Sequence, residues 1–178
     1  MAFPLAHFSL GCGIATAFGQ RIHSPGKALF WLTLSILPDF DFFFVAALGL
    51  GLRQYHRTFT HSFTFTLVAS LAAFFVGKRA GWVTVWRDWL VIYLVLLSHL
   101  FLDFFCVASV ARHGETLLWP FSREPFGYES FLVPLYRRFG GEPNSLQVAI
   151  PYTLLELVLW SPVTVWILIT NSCPKNSC

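Results

Sequence analysis

Five stretches of this chain are apolar over the length needed to cross a bilayer, or nearly so: about Phe3–Phe18, Ala28–Leu50, Thr58–Val76, Trp89–Ala108 and Leu146–Thr170. A spanning helix needs about 20 mostly apolar residues. Lipid offers the backbone no water to bond, so such runs have to be helical. Only 12% of the 178 residues are charged, against about 25% in soluble domains. That is too little polar surface to coat a water-exposed body, which excludes an ordinary cytosolic domain, a disordered chain and a disulfide-stapled miniprotein. The expected fold is all-α: a polytopic integral membrane protein with a bundle of about five transmembrane helices.

Residues 1–170 read as a single transmembrane domain and 171–178 as a flexible tail. The long connection from Arg112 to Asn144 mixes Glu and Arg with aromatics, and its Leu117–Phe121 segment is too apolar for a free loop. It is expected to be an interfacial cap. The first helix carries Gly11, Gly13, Ala15 and Ala17, small residues suited to close helix packing. It lacks a basic residue before its apolar stretch and His7 interrupts it, so a retained helix is expected rather than a cleaved signal peptide. The net charge of +3 is spread between the runs, which gives no nucleic-acid footprint. Alternating helices place six Lys/Arg on each side, so charge does not set the orientation. The four cysteines, Cys12, Cys106, Cys173 and Cys178, form no metal-binding pattern.

Against this apolar background the ionisable residues stand out, because each is costly inside a membrane and is a functional candidate. His99 and Asp103 are spaced i, i+4 and share one helix face, as a helix presents ligands to a divalent metal. At about 1.5 Å per residue, His99 lies roughly 15 Å into its run. In Leu37-Pro38-Asp39-Phe40-Asp41, the proline breaks the helix and allows both carboxylates to turn inward. A cation would relieve their repulsion; the plainer reading is a helix cap after the break. In His56-Arg57-Thr58-Phe59-Thr60-His61-Ser62, Arg57 and His61 would share a face of the third helix, and His56 would not. His61 is then a ligand and His56 a ligand, acid or base. Arg57 is a clamp for an anionic group or an interfacial anchor. Thr60 and Ser62 would orient the ligands. His7 joins the same side of the bundle, and Glu156 in the fifth run is a further ligand, a proton carrier or a hydrogen-bond partner.

With these residues in order, the chain resembles the YdjM/YbcI family of bacterial inner-membrane proteins, described as membrane-bound metal-dependent hydrolases. The likeness runs through His7, Leu37–Asp41, His56–Ser62, Ser98–Asp103 and Leu117–Ser122. More distantly it is similar to zinc-dependent phospholipase C, although the later His-x-x-x-Glu ligand set of that group is missing here.

The resemblance implies an inner-membrane hydrolase acting on an ester or phosphoester. His7, Asp39, His61, His99 and Asp103 are expected to hold one or two divalent cations, zinc first, with manganese or iron also suited to mixed His/carboxylate sites. The metal would activate a water. Asp41, His56 and Arg57 are the expected catalytic residues: Asp41 or His56 as base or second ligand, Arg57 holding negative charge. Membrane lipids are the expected surroundings, and a lipid or lipid-linked molecule entering from the bilayer the expected substrate. The alternative is a proton- or ion-coupled transporter, since intramembrane Asp, His and Glu also mark ion paths. A haem protein would need two facing deep histidines and would leave the carboxylates idle.

Overall fold

The computed structural model describes residues 4–50, 55–105, 114–128, 158, 161–167 and 169–170. Glu156, His113, Cys106, Cys173, Cys178, the 129–144 part of the expected cap and the 171–178 tail lie outside the described residues. Within them the chain is all-α: α1 (Pro4–Ala17), α2 (Pro25–Ile36), α3 (Asp41–Ala47), α4 (Phe63–Arg79) and α5 (Trp86–Phe104). Residues 161–167 are also helical. The stretch Pro25–Ala47, 23 residues long, is the one described helix whose length and composition suffice for a membrane crossing; Leu5–Ala17 is apolar and shorter.

The helix ends follow local chemistry. Ser24 caps α2 by accepting the Lys27 N–H at 3.2 Å, with Pro25 in the first turn. Asp88 anchors the start of α5: its carboxylate accepts the Thr84 and Val85 N–H groups at 2.7 and 3.1 Å, and Gln20 Nε2 at 2.7 Å. Pro38 ends α2, and a 3₁₀ turn over Leu37–Phe40 leads into α3, so the break expected there is present.

The third helix begins later than its composition suggests. It starts at Phe63, not near Thr58, because polar side chains in the preceding segment bond the backbone instead. Thr58 Oγ1 donates to the Tyr55 carbonyl and Ser62 Oγ to that of Phe59. Arg57 takes a left-handed φ of 67°, which no regular helix allows.

Helix α5 packs against α1, α2 and α4. One stripe along it is buried: Val91, Ile92, Val95 and Leu96, then His99 and Asp103. The lower part of that stripe joins Cys12, Trp31, Leu34 and Phe74 in the apolar core. The upper part is polar. Outward faces are apolar instead, with Leu29, Phe44, Val68, Phe75 and Phe101 all more than half exposed. A buried ionisable cluster above an apolar core, within apolar outward faces, suits a lipid surround.

Small residues bring α1 close, as expected. A Cβ at Gly11 would run into Ser35 Oγ on α2 and lie 3.1 Å from Val95 on α5. The helix at 161–167 meets the other side of α1 through Ser9 Oγ and Thr164 Oγ1, 2.9 Å apart.

Candidate metal centre

Four side chains from three parts of the chain converge at the end of the apolar core. Asp39 comes from the 3₁₀ turn after Pro38, His61 from a second 3₁₀ turn (Phe59–His61), and His99 and Asp103 from the last turns of α5. Each offers one ligand atom, and the four atoms lie within 4.8 Å of one another. His61 Nε2 and His99 Nε2 are each 3.5 Å from Asp39 Oδ1, and 3.5 and 4.0 Å from Asp103 Oδ2. Metal–ligand bonds of about 2.0–2.1 Å in a tetrahedron put neighbouring ligands about 3.3 Å apart. The spacing fits one divalent ion.

Hydrogen bonding fixes how the ligands face. His99 Nδ1 bonds the Ser35 carbonyl at 2.8 Å, which makes Nδ1 the protonated nitrogen and leaves Nε2 with its lone pair. His61 Nδ1 lies 3.1 Å from Thr60 Oγ1, and that hydroxyl donates to Asp41 Oδ2 at 2.7 Å. The Thr60 oxygen is therefore left to accept from His61, and His61 Nε2 also carries a lone pair. Neither Nε2, nor Asp39 Oδ1, has a hydrogen-bond partner among the described residues. Orphaned, buried acceptors that converge in this way could be satisfied by one cation.

Charge argues the same way. Asp41 and Asp103 are buried and Asp39 is a quarter exposed, while Arg57 is 3% exposed. Three aspartates against one arginine leave two negative charges, which one divalent cation neutralises.

His7, Asp39, Asp41, His56, Arg57, His61, His99 and Asp103 come together here, while Glu156 lies outside the described residues. His7 stacks on His99, ring centroids 3.8 Å apart, and its Nε2 is 3.5 Å from Asp103 Oδ1; it stands beside the four-atom group and supports it. Asp41 turns inward as expected, but toward partners of its own. Oδ1 receives His56 Nδ1 at 2.7 Å, and Oδ2 receives the Arg57 N–H at 3.1 Å along with Thr60. Asp41 thus ties three residues of the 56–62 segment to the turn that carries Asp39.

His56, held by Asp41, sets its ring 5.4 Å from that of His61; its Nε2 is buried and has no partner among the described residues. Arg57 Nη2 is 2.6 Å from Asp103 Oδ2. Arg57 and His61 meet at Asp103 without the shared helix face expected of them, since their segment is not helical. Ser62 does not orient a ligand. Its side chain caps α4, accepting the Phe65 N–H at 3.1 Å.

One further acid is buried beside the 56–62 segment. Glu115, 0% exposed, sits in the 114–128 segment, which folds over the 56–63 stretch: Phe63 N–H bonds the Leu117 carbonyl at 3.0 Å, and Thr116 Oγ1 the Thr58 carbonyl at 2.8 Å. Its one sequence signal is position, an acid two residues before the over-apolar Leu117–Phe121.

The family of the YdjM inner membrane protein matches residues 1–170. A curated relative, inner membrane protein YbcI of Escherichia coli (strain K12), is 33% identical over 129 residues, 71% of this chain and 72% of the relative. No solved structure matches the chain. The family match includes Asp39, His61, His99 and Asp103, and on both comparisons the chain belongs to the YdjM inner membrane protein family.

Proposed function

We propose that the protein is a metal-dependent hydrolase of the inner membrane, cleaving a phosphoester of a lipid or lipid-linked substrate. The observation that carries this reading is the convergence of Asp39, His61, His99 and Asp103, with lone pairs inward, next to a histidine whose proton acceptor is free. In this reading the helices described above, with the segment near residues 146–170, make the five crossings of one membrane domain.

Zinc suits the two imidazoles and two carboxylates best, and manganese or iron is the next choice. A divalent ion held there supplies Lewis acidity and lowers the pKa of water. The chain's own groups do the rest. His56, with Nδ1 engaged by Asp41, receives a proton at Nε2 from the attacking water. Arg57, fixed against Asp103, keeps a positive charge at the site that favours an anionic phosphoryl group. Asp39 is the most exposed residue of the cluster, and Phe42, Phe59 and Phe101, on the segments that carry the cluster, are exposed. An acyl chain can lie on these rings while its headgroup reaches Asp39, which favours a lipid over a soluble ester.

Elemental mass spectrometry on detergent-purified protein tests the centre, with His99→Ala and Asp39→Ala alongside. One equivalent of zinc or manganese, absent from both variants, together with turnover of a lipid phosphoester, is the expected result. Protein that takes up no metal after reconstitution and cleaves no ester would sink the reading.

A further inference from the structure

Glu115 has no task in the scheme above. Its side chain is fully buried, and neither carboxyl oxygen has a hydrogen-bond partner among the described residues. Its backbone is held on both sides. The N–H and carbonyl exchange bonds of 2.7 and 2.8 Å with Phe126, and the next N–H, that of Thr116, bonds the Arg57 carbonyl at 3.3 Å. The carboxyl is thus strapped to the segment that carries Arg57, Thr60 and His61.

It also lies within reach of the charges at the centre. Burial above all, and then the Asp103 carboxylate, push its pKa up to about 9, with Arg57 opposing and Asp39 adding a smaller push. An ionised carboxylate with both oxygens idle is not held in a dry site, whereas a neutral carboxyl is tolerated there and brings an O–H donor. Glu115 is not in the four-atom group, and its carboxyl proton has no acceptor among the described residues.

We propose that Glu115 is the general acid of this site, donating its carboxyl proton to the leaving oxygen of the phosphoester. The inference rests on the hydrolase reading above. In the step, the water oxygen bonds to phosphorus while the bond from phosphorus to the leaving oxygen breaks. The electron pair stays on that oxygen, which takes the Glu115 proton and departs as an alcohol. The proton that water gave to His56 restores Glu115 through solvent, so one water is consumed and nothing is oxidised. A carboxyl kept neutral by its surroundings beside a charged partner is a recurrent way to run acid catalysis near neutral pH.

The test uses zinc-loaded full-length protein and two choline phosphodiesters, one with a diacylglycerol and one with a p-nitrophenol leaving group. Nitrophenolate leaves without a proton; the glyceride does not. Glu115→Gln is expected to lower turnover of the diacylglycerol ester about 100-fold and leave that of the nitrophenyl ester unchanged. Glu115→Asp, which keeps the proton on a shorter arm, falls between. Infrared spectra should show a protonated-carboxyl band in wild-type protein that Glu115→Gln removes while zinc content stays the same.

Equal loss on both esters, equal retention on both, or loss of zinc from Glu115→Gln overturns the acid role and leaves the hydrolase standing. Wild-type protein that holds zinc and cleaves neither ester overturns both. If Glu115→Gln does not fold, the wild-type infrared band and Glu115→Asp decide.

Discussion

The Ser35 carbonyl accepts His99 Nδ1 at 2.8 Å, and this bond turns His99 Nε2 toward Asp39, 3.5 Å away. A main-chain atom of α2 thereby sets the orientation of a candidate ligand on α5. The ligand is only as well placed as the packing of the two helices. Ser35 is in turn pressed by Gly11 of α1, which has no room for a Cβ.

Gly11→Ala should therefore act at a distance. Overpacking of this kind costs about 1–3 kcal/mol, and here it displaces Ser35. Thermal unfolding in detergent should show the lost stability and elemental analysis a weaker hold on zinc. Ser35→Ala, which removes the clashing Oγ, should recover part of both; no recovery would mean that the remaining contacts with Ser35 Cβ and Val95, at 3.0 and 3.1 Å, dominate.

Asp41→Asn should separate organisation from ligation. The carboxylate accepts from His56, Arg57 and Thr60 and is outside the ligand group, so metal content should hold. Bonds to a charged group contribute about 1.5–3 kcal/mol each. A stability loss of about 2 kcal/mol and a fall in turnover of about 100-fold are expected. Loss of the metal itself would make Asp41 a ligand.

Arg57→Gln removes the cation that faces Asp103. Breaking a buried pair costs about 3–5 kcal/mol, and the cost should be largest in metal-free protein, where Asp103 is left without a counter-charge. Adding zinc should restore much of the melting temperature. A loss equal with and without zinc would place the role of Arg57 away from the centre.

Stability of chelated protein should fall as pH rises. Folded Glu115 releases its proton near 9, whereas the unfolded chain does so at the ordinary glutamate value of 4.5. Between those values folding takes up a proton, so each step up in pH favours the unfolded chain. Glu115→Gln should flatten this slope in melting temperatures measured from about pH 5 to 9. An unchanged slope would show that other groups carry it.

Much of the site is legible along the chain. His99 and Asp103 can be paired because helical spacing is a local rule, and Pro38 marks the break that frees Asp39 because a missing donor is a local fact. His61 and Arg57 are identifiable by residue type, as ionisable groups amid apolar ones. Their geometry is not. The 56–62 segment looks like the first turns of a helix by composition. It is an irregular turn because Asp41, remote in sequence, accepts its donors. Glu115 is more hidden still, an ordinary loop acid until the strap folds down and removes it from water.

Hydrophobicity and helical period are properties of neighbouring residues, and they suffice for the all-α class, the apolar runs and the side chains too costly to bury without purpose. Only the packing of segments far apart in the chain gives Asp39 and Asp41 different partners, stacks His7 on His99 and takes the Glu115 carboxyl out of water. Those outcomes depend on hydrogen bonds and charges between segments far apart in the chain, and no local pattern encodes the distance between them.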